Sequence, residues 1–181
     1  MKNLSRRTRI ATGAAALAVV GAAAFGTVSA NASAPAAGVA RSVAHGATTT
    51  STHLTIDAAT RAARAALDAA EAENQRVTVA VVDRNGNTIV TLRGDGAGPQ
   101  SYESAQRKAF TAVSWNAPTS ELSGRLQQTP NLKDIPGTLF LGGGVPVTDR
   151  NAPIAGIGVA GAPSGTLDEK YARAGAAALD R

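Results

Sequence analysis

From Ile56 onward, small apolar and charged residues follow one another with a helical rhythm. Ile56, Ala59, Ala63, Ala66, Leu67 and Ala70 fall on one side, with Asp57, Arg61, Arg64, Asp68 and Glu71 opposite. That spacing predicts an amphipathic helix with Thr55 as its N-cap, ending near Asn74. Its apolar stripe is mostly alanine, so the helix can lie close to a sheet. The residue types then change. Val77 to Val82 is β-branched except for Ala80, and Thr88 to Leu92 is similar. Between them, Asn85-Gly86 can supply the positive φ values of a tight hairpin, which predicts two antiparallel strands.

Gly94 to Pro99 reads as a loop, and Ser101 to Ser114 as a second helix with Ala105, Ala109, Ala112 and Val113 on its apolar side. Pro118 interrupts, Thr119 is placed to cap a short helix through Leu126, and Thr129 to Pro136 is another loop. Thr138 to Leu141, Val145 to Thr148 and Ile154 to Ala160 read as strands. Thr166 is placed to cap a last helix with Asp168 and Glu169 in its first turn. The predicted order is α-β-β-α-α-β-β-β-α. This is an α/β protein of the α+β type, with a five-stranded, largely antiparallel sheet flanked by helices.

The region before Leu54 has a different character. Met1 to Ile10 carries Lys2, Arg6, Arg7 and Arg9 without an acid, Ala11 to Val28 is almost wholly apolar, and Val28-Ser29-Ala30 is a small-residue cleavage site. Residues 1–30 are therefore expected to be a secretory signal peptide, placing the mature chain outside the cell. Ser5-Arg6-Arg7-Thr8-Arg9-Ile10 resembles a twin-arginine signal, although ordinary n-region charges would look much the same. Residues 31–53, rich in Ala, Ser, Thr, Gly and Pro, read as a flexible arm. Residues 54–181 then form one domain.

Removing the signal changes the charge argument. Four of the 18 Lys and Arg residues precede residue 31 and none of the 13 acids does, so the net charge falls from +5 to +1. The basic balance of the full chain is thus no argument for nucleic-acid binding. There is no cysteine, which excludes disulfides, thiolate metal sites and cysteine nucleophiles.

The glycine triplet Gly142-Gly143-Gly144 leads through Val145-Pro146 into a strand, not into a helix N-terminus, and no Gly-Lys-Ser/Thr follows. It predicts a turn or a close backbone approach and gives no support to a phosphate loop. His45 and His53 are the two histidines, and neither has an acid near it in sequence, which leaves a histidine triad without support. Asp68 and Glu71 share one helix face, where two carboxylates can hold a hard cation such as oxidised iron or can simply be solvated. On the second helix, Arg107 and Lys108 stand beside Phe110, Thr111 and Trp115. Cations next to flat apolar side chains suit a flat anionic ligand, with core packing as the plainer reading.

Several segments, taken in order, resemble the HbpS/GlcG family: Arg107-Lys108-Ala109-Phe110-Thr111-Ala112, Pro118-Thr119-Ser120-Glu121-Leu122, Gly142 to Pro146, Ile154 to Gly161, and Asp168-Glu169 with Ala172 and Gly175. The resemblance spans nearly all of residues 54–181. It implies an α/β subunit assembling into a homo-octamer, haem binding, iron bound at carboxylate motifs, and contact with the extracellular part of a membrane sensor kinase in a two-component system under oxidative stress. Residue by residue, it implies Lys108 and Thr111 near haem, with Thr111 on the iron side, and matches Asp68 and Glu71 in type to a surface iron motif. Trp115 stands where the family pattern suggests a smaller aromatic. A slow haem-degrading enzyme and a purely structural oligomer remain as alternatives.

Overall fold

The computed structural model describes residues 42–180. The predicted signal and the first part of the predicted arm, up to residue 41, lie outside the described residues. Residues 42–53 contain no helix or strand. All of the regular elements belong to the unit Gly46–Arg181.

Helix α1 (Ile56–Glu71) opens as its sequence predicts, with the Thr55 hydroxyl accepting from the Ala58 N–H at 3.2 Å. Ala59, Ala62, Ala63, Ala66, Leu67 and Ala70 are buried, but Ile56 is 57 % exposed and does not join the stripe. Strands β1 (Thr78–Asp83) and β2 (Thr88–Arg93) form the expected hairpin. Of the turn pair, Gly86 alone takes a positive φ, +89°. Asp83 holds the turn, its Oδ1 accepting from the Asn85 and Asn87 N–H groups at 2.8 and 2.9 Å. Helix α2 (Pro99–Trp115) and short helix α3 (Thr119–Arg125) follow, then a 3₁₀ turn at Pro130–Asp134. Strands β3 (Gly144–Asp149) and β4 (Ala152–Ala160) and helix α4 (Gly165–Ala177) complete the chain.

The sheet has four antiparallel strands in the order β2-β1-β4-β3, one fewer than expected. Thr138 to Leu141 is not a strand, because side chains of α2 take the hydrogen bonds that a neighbouring strand would. The Thr138 carbonyl accepts from Arg107 at 2.7 Å, and the Leu139 N–H donates to Thr111 Oγ1 at 2.8 Å. Two expected caps are also replaced. Ser164, not Thr166, caps α4 by accepting from the Leu167 N–H. Thr119 lies inside α3 with its hydroxyl turned to the Gly144 N–H at 2.8 Å, while Glu169 accepts from the Ser120 N–H and hydroxyl at the α3 N-terminus.

Layers follow from residue size. On one sheet face Val79, Val81, Val145, Ala155, Ile157 and Val159 pack with the alanines of α1 and with Tyr171 and Ala172 of α4. On the other face α2 lies alone against glycine. A Cβ at Gly156 would meet the Ala109 carbonyl at 2.1 Å, one at Gly158 the Ala105 carbonyl at 2.0 Å, and one at Gly144 the Lys108 carbonyl at 2.4 Å. Strand glycine usually weakens a strand, but here its absent side chain lets a helix backbone touch the sheet.

Candidate functional site: an aromatic hollow on helix α2

Placing α2 so close to the sheet sorts its side chains by depth. Lys108 points inward and is 4 % exposed. Its Nζ donates to Asp168 Oδ2 at 2.7 Å and to the Val159 carbonyl at 3.1 Å, while Asp168 Oδ1 accepts from the Ala162 N–H at 3.0 Å. Burial drives the Asp168 carboxyl above its ordinary value, and the hydrogen bond and charge of Lys108 only partly offset it. The glycine triplet covers this pair. Gly143 has φ +128°, and a Cβ there would lie 2.7 Å from the Asp168 Cβ and 2.8 Å from Lys108 Nζ. The triplet is thus a close approach over a buried ion pair.

Thr111 is fully buried, donating to the Arg107 carbonyl at 2.7 Å and accepting from the Leu139 N–H. Lys108 and Thr111, the two residues expected near haem, thus have their polar groups engaged in tying α2 to the rest of the fold. Trp115 is also removed from the site. It packs edge-to-face on Phe140, ring centroids 5.3 Å apart, within a small cluster with Leu122.

Arg107 and Phe110 do come together. Both are half-buried and line an open hollow of about 300 Å³ with Val82, Gly86, Thr88, Gln106 and Gly137. The Phe110 ring lies between two positive-φ glycines. A Cβ at Gly86 would approach it to 2.9 Å and one at Gly137 to 3.5 Å. Arg107 is held at the rim by Thr138, and its Nη1 lies 3.7 Å from Glu103 Oε1. A flat ring with a fixed cation beside it can receive a planar anionic ligand. A larger groove of about 590 Å³ beside β3, lined by Leu54, Val147, Ile154, Ala176 and Leu179 with Arg173, offers no aromatic surface. The smaller hollow is the better chemical match.

Asp68 and Glu71 are both exposed on α1, and Asp68 Oδ1 is paired with Arg64 Nε at 2.8 Å. Among the described residues, no three or more of His, Asp and Glu converge as a metal site. His53 meets an acid that is distant in sequence. Its Nδ1 lies 3.7 Å from Asp83 Oδ2, while Nε2 is 2.6 Å from the Ser51 hydroxyl. Partial burial of Asp83 opposes its ionisation. Hydrogen bonds from Asn87 and Asn85, with the His53 charge, outweigh that effect and hold the carboxyl below its ordinary value. Asp83, Gln106, Gly86 and Gly137 are the residues sequence reasoning missed. The Asn-Gly turn was the one local signal, and it marked the bend without its neighbour Phe110.

The fold and the hollow together describe a class: an antiparallel sheet between helices, with a shallow aromatic-and-arginine hollow on the helix that covers one face. A family model described as haem degrading protein HbpS-like matches residues 54–177, so the chain belongs to the HbpS-like family. It is 75 % identical to HbpS, with a TM-score of 0.76, over 77 % of this chain and 99 % of that one. A double mutant of Streptomyces reticuli HbpS is 73 % identical, with a TM-score of 0.78, over 79 % of this chain and 98 % of that one. The PduOC:haem complex is 29 % identical, with a TM-score of 0.66, over 71 % and 96 %.

Proposed function

We infer that this chain is a haem-binding protein that takes haem at the α2 hollow. The observation that carries the reading is the Phe110 ring set between Gly86 and Gly137 with Arg107 at its edge. A porphyrin is flat and its carboxylates are anionic; Phe110 matches the first property and Arg107 the second. Lys108 and Thr111 serve the same site by position, anchoring α2 through Asp168 and Leu139. The family description and the haem complex of a 29 % identical relative support this ligand. When bound, haem would supply iron redox chemistry, and the chain's residues would hold and orient it.

Around this core we place the wider role: an exported homo-octamer, acting outside the cell as accessory to a membrane sensor kinase in a two-component response to haem and oxidative stress. Iron at Asp68 and Glu71 belongs to the same proposal, with water completing the shell of the two carboxylates. A slow haem-degrading activity is the second reading, favoured by the family's description. Hemin titration of the protein followed in the Soret region tests the central claim. A saturable shifted band that weakens in Phe110→Ala and Arg107→Ala is expected. Absorbance equal to free hemin at every ratio would sink it, and loss of the bound band with iron release under a reductant would favour degradation.

A further inference from the structure

Of the asparagines in this chain, only Asn85 is followed by glycine. A glycine nitrogen is the least hindered nucleophile the main chain offers, because no Cβ stands beside it. A bond from the Gly86 nitrogen to Asn85 Cγ would close a succinimide ring. Asparagine is thermolabile in proteins for this reason, and the surroundings of each asparagine set its rate.

Here the surroundings act in both directions. Asn85 is exposed at the tip of the β1–β2 hairpin. The outer strand β2 is an edge of the sheet and has no fully buried residue, and the pairing register shifts between Val81 and Val82, just before the turn. Such a hairpin end opens at lower cost than the core. Asp83 opposes the opening. Its Oδ1 accepts from the Asn85 and Asn87 N–H groups, its Oδ2 accepts from Asn87 Nδ2 at 3.2 Å, and its carbonyl accepts from the Gly86 N–H at 3.0 Å. The last bond engages the nitrogen that would attack. The closed turn therefore guards Asn85, and the open turn releases it.

We propose that Asn85 is a self-modification site, converted through the open turn to aspartate and isoaspartate at a rate that Asp83 controls. The Gly86 nitrogen gives up its proton and bonds to Asn85 Cγ. The Cγ–Nδ2 bond breaks, and that nitrogen takes up a proton and leaves as ammonia. Water then opens the ring, with no change of oxidation state. Cleavage between the Gly86 nitrogen and Cγ gives aspartate. Cleavage between that nitrogen and the Asn85 carbonyl carbon gives isoaspartate, whose main chain runs through Cβ and Cγ. The isoaspartyl turn is thus longer by one atom immediately before Gly86. There is no slack for it on the inner side: Gly86 has φ +89°, and a Cβ on it would lie 2.9 Å from the Phe110 ring. The longer turn must lift Gly86 off that ring, which remodels one wall of the α2 hollow.

Ageing the folded protein at mildly alkaline pH, followed by peptide mass mapping, tests the site. The amide-to-acid mass shift should appear at Asn85 well before Asn151, which occupies the exposed β3–β4 turn but precedes Ala152. Labelling by an isoaspartyl methyltransferase should grow with it and vanish in Asn85→Gln, whose longer side chain disfavours the ring. No shift at Asn85, or one no faster than at Asn151, overturns the proposal. Asp83→Ala should speed conversion by roughly fivefold for each turn hydrogen bond lost. Wild-type chain held unfolded in urea makes the same comparison without relying on that variant's fold, and its Asn85 should also convert faster than in the folded protein. Equal rates in the closed and released turns overturn the control by Asp83. Finally, the isoaspartyl fraction, separated by ion exchange, should have a lower urea midpoint than Asn85→Asp, which carries the same charge on a chain of normal length. Equal midpoints overturn the remodelling of the wall.

Discussion

Lys108→Met isolates the energetic role of the buried ion pair. The substitution is close in volume and removes the ammonium, leaving Asp168, itself 3 % exposed, with one remaining hydrogen bond from the Ala162 N–H. Breaking one side of a buried pair costs about 3–5 kcal/mol, because the orphaned charge stays desolvated. That is a large share of the roughly 5–15 kcal/mol that holds a domain of this kind together. At about 3–5 °C per kcal/mol for a domain of this size, the melting temperature should fall by roughly 10–20 °C. The pH dependence has a definite sign. Asp168 already has a raised carboxyl value, so its contribution to stability is fully present in acid and is lost as pH rises through that raised value. Without Lys108 the carboxyl should rise further, so the penalty in Lys108→Met should shrink from about pH 7 toward about pH 4. Adding Asp168→Asn should recover most of the loss, since the charge is gone and an amide oxygen can still accept from Ala162. Urea unfolding of the four members of this double-mutant cycle at both pH values measures each quantity. A penalty equal at the two pH values, or two substitutions whose costs simply add, would refute the argument.

Gly158→Ala adds one methyl group where the Ala105 carbonyl would lie 2.0 Å and the Ala109 nitrogen 2.5 Å away. Helix backbone cannot rotate aside, so the cost should reach or exceed the about 1–3 kcal/mol usual for overpacking, with hemin affinity falling as α2 is pushed outward; thermal melting and Soret titration read the two effects. Glu169 should govern part of the acid limb. Burial opposes its ionisation, but hydrogen bonds from Ser120 and Arg173 prevail and hold its carboxyl below the ordinary value. Its stabilisation is therefore present above the usual carboxylate range and lost as pH falls through the lowered value, and Glu169→Gln should flatten that limb in a pH series of urea midpoints.

Much of the fold was legible because its cues are local. The alanine stripe of α1, the Thr55 cap, the Asn85-Gly86 bend, the β-branched run of β1 and the glycine-rich run of β4 each predict an element from neighbours within a few residues. The failures share a cause. Thr138 to Leu141 has strand-like residues, yet Arg107 and Thr111, 31 and 28 residues away, take its backbone hydrogen bonds. Thr119 and Thr166 look like caps, but Glu169 and Ser164 perform those tasks.

The candidate site divides in the same way. By itself the sequence determined that a cysteine-free chain would place cations and an aromatic ring on one helix, and that the glycine triplet would not serve a phosphate. Only the tertiary structure decided which cation reached the surface. Lys108 and Arg107 are adjacent in sequence, yet the approximately 100° turn between successive helical residues sends one into the core against Asp168 and leaves the other at the rim beside Phe110. Composition names the groups available for chemistry; burial and partner choice, set by residues far apart in the chain, determine which of them meet the solvent and a ligand.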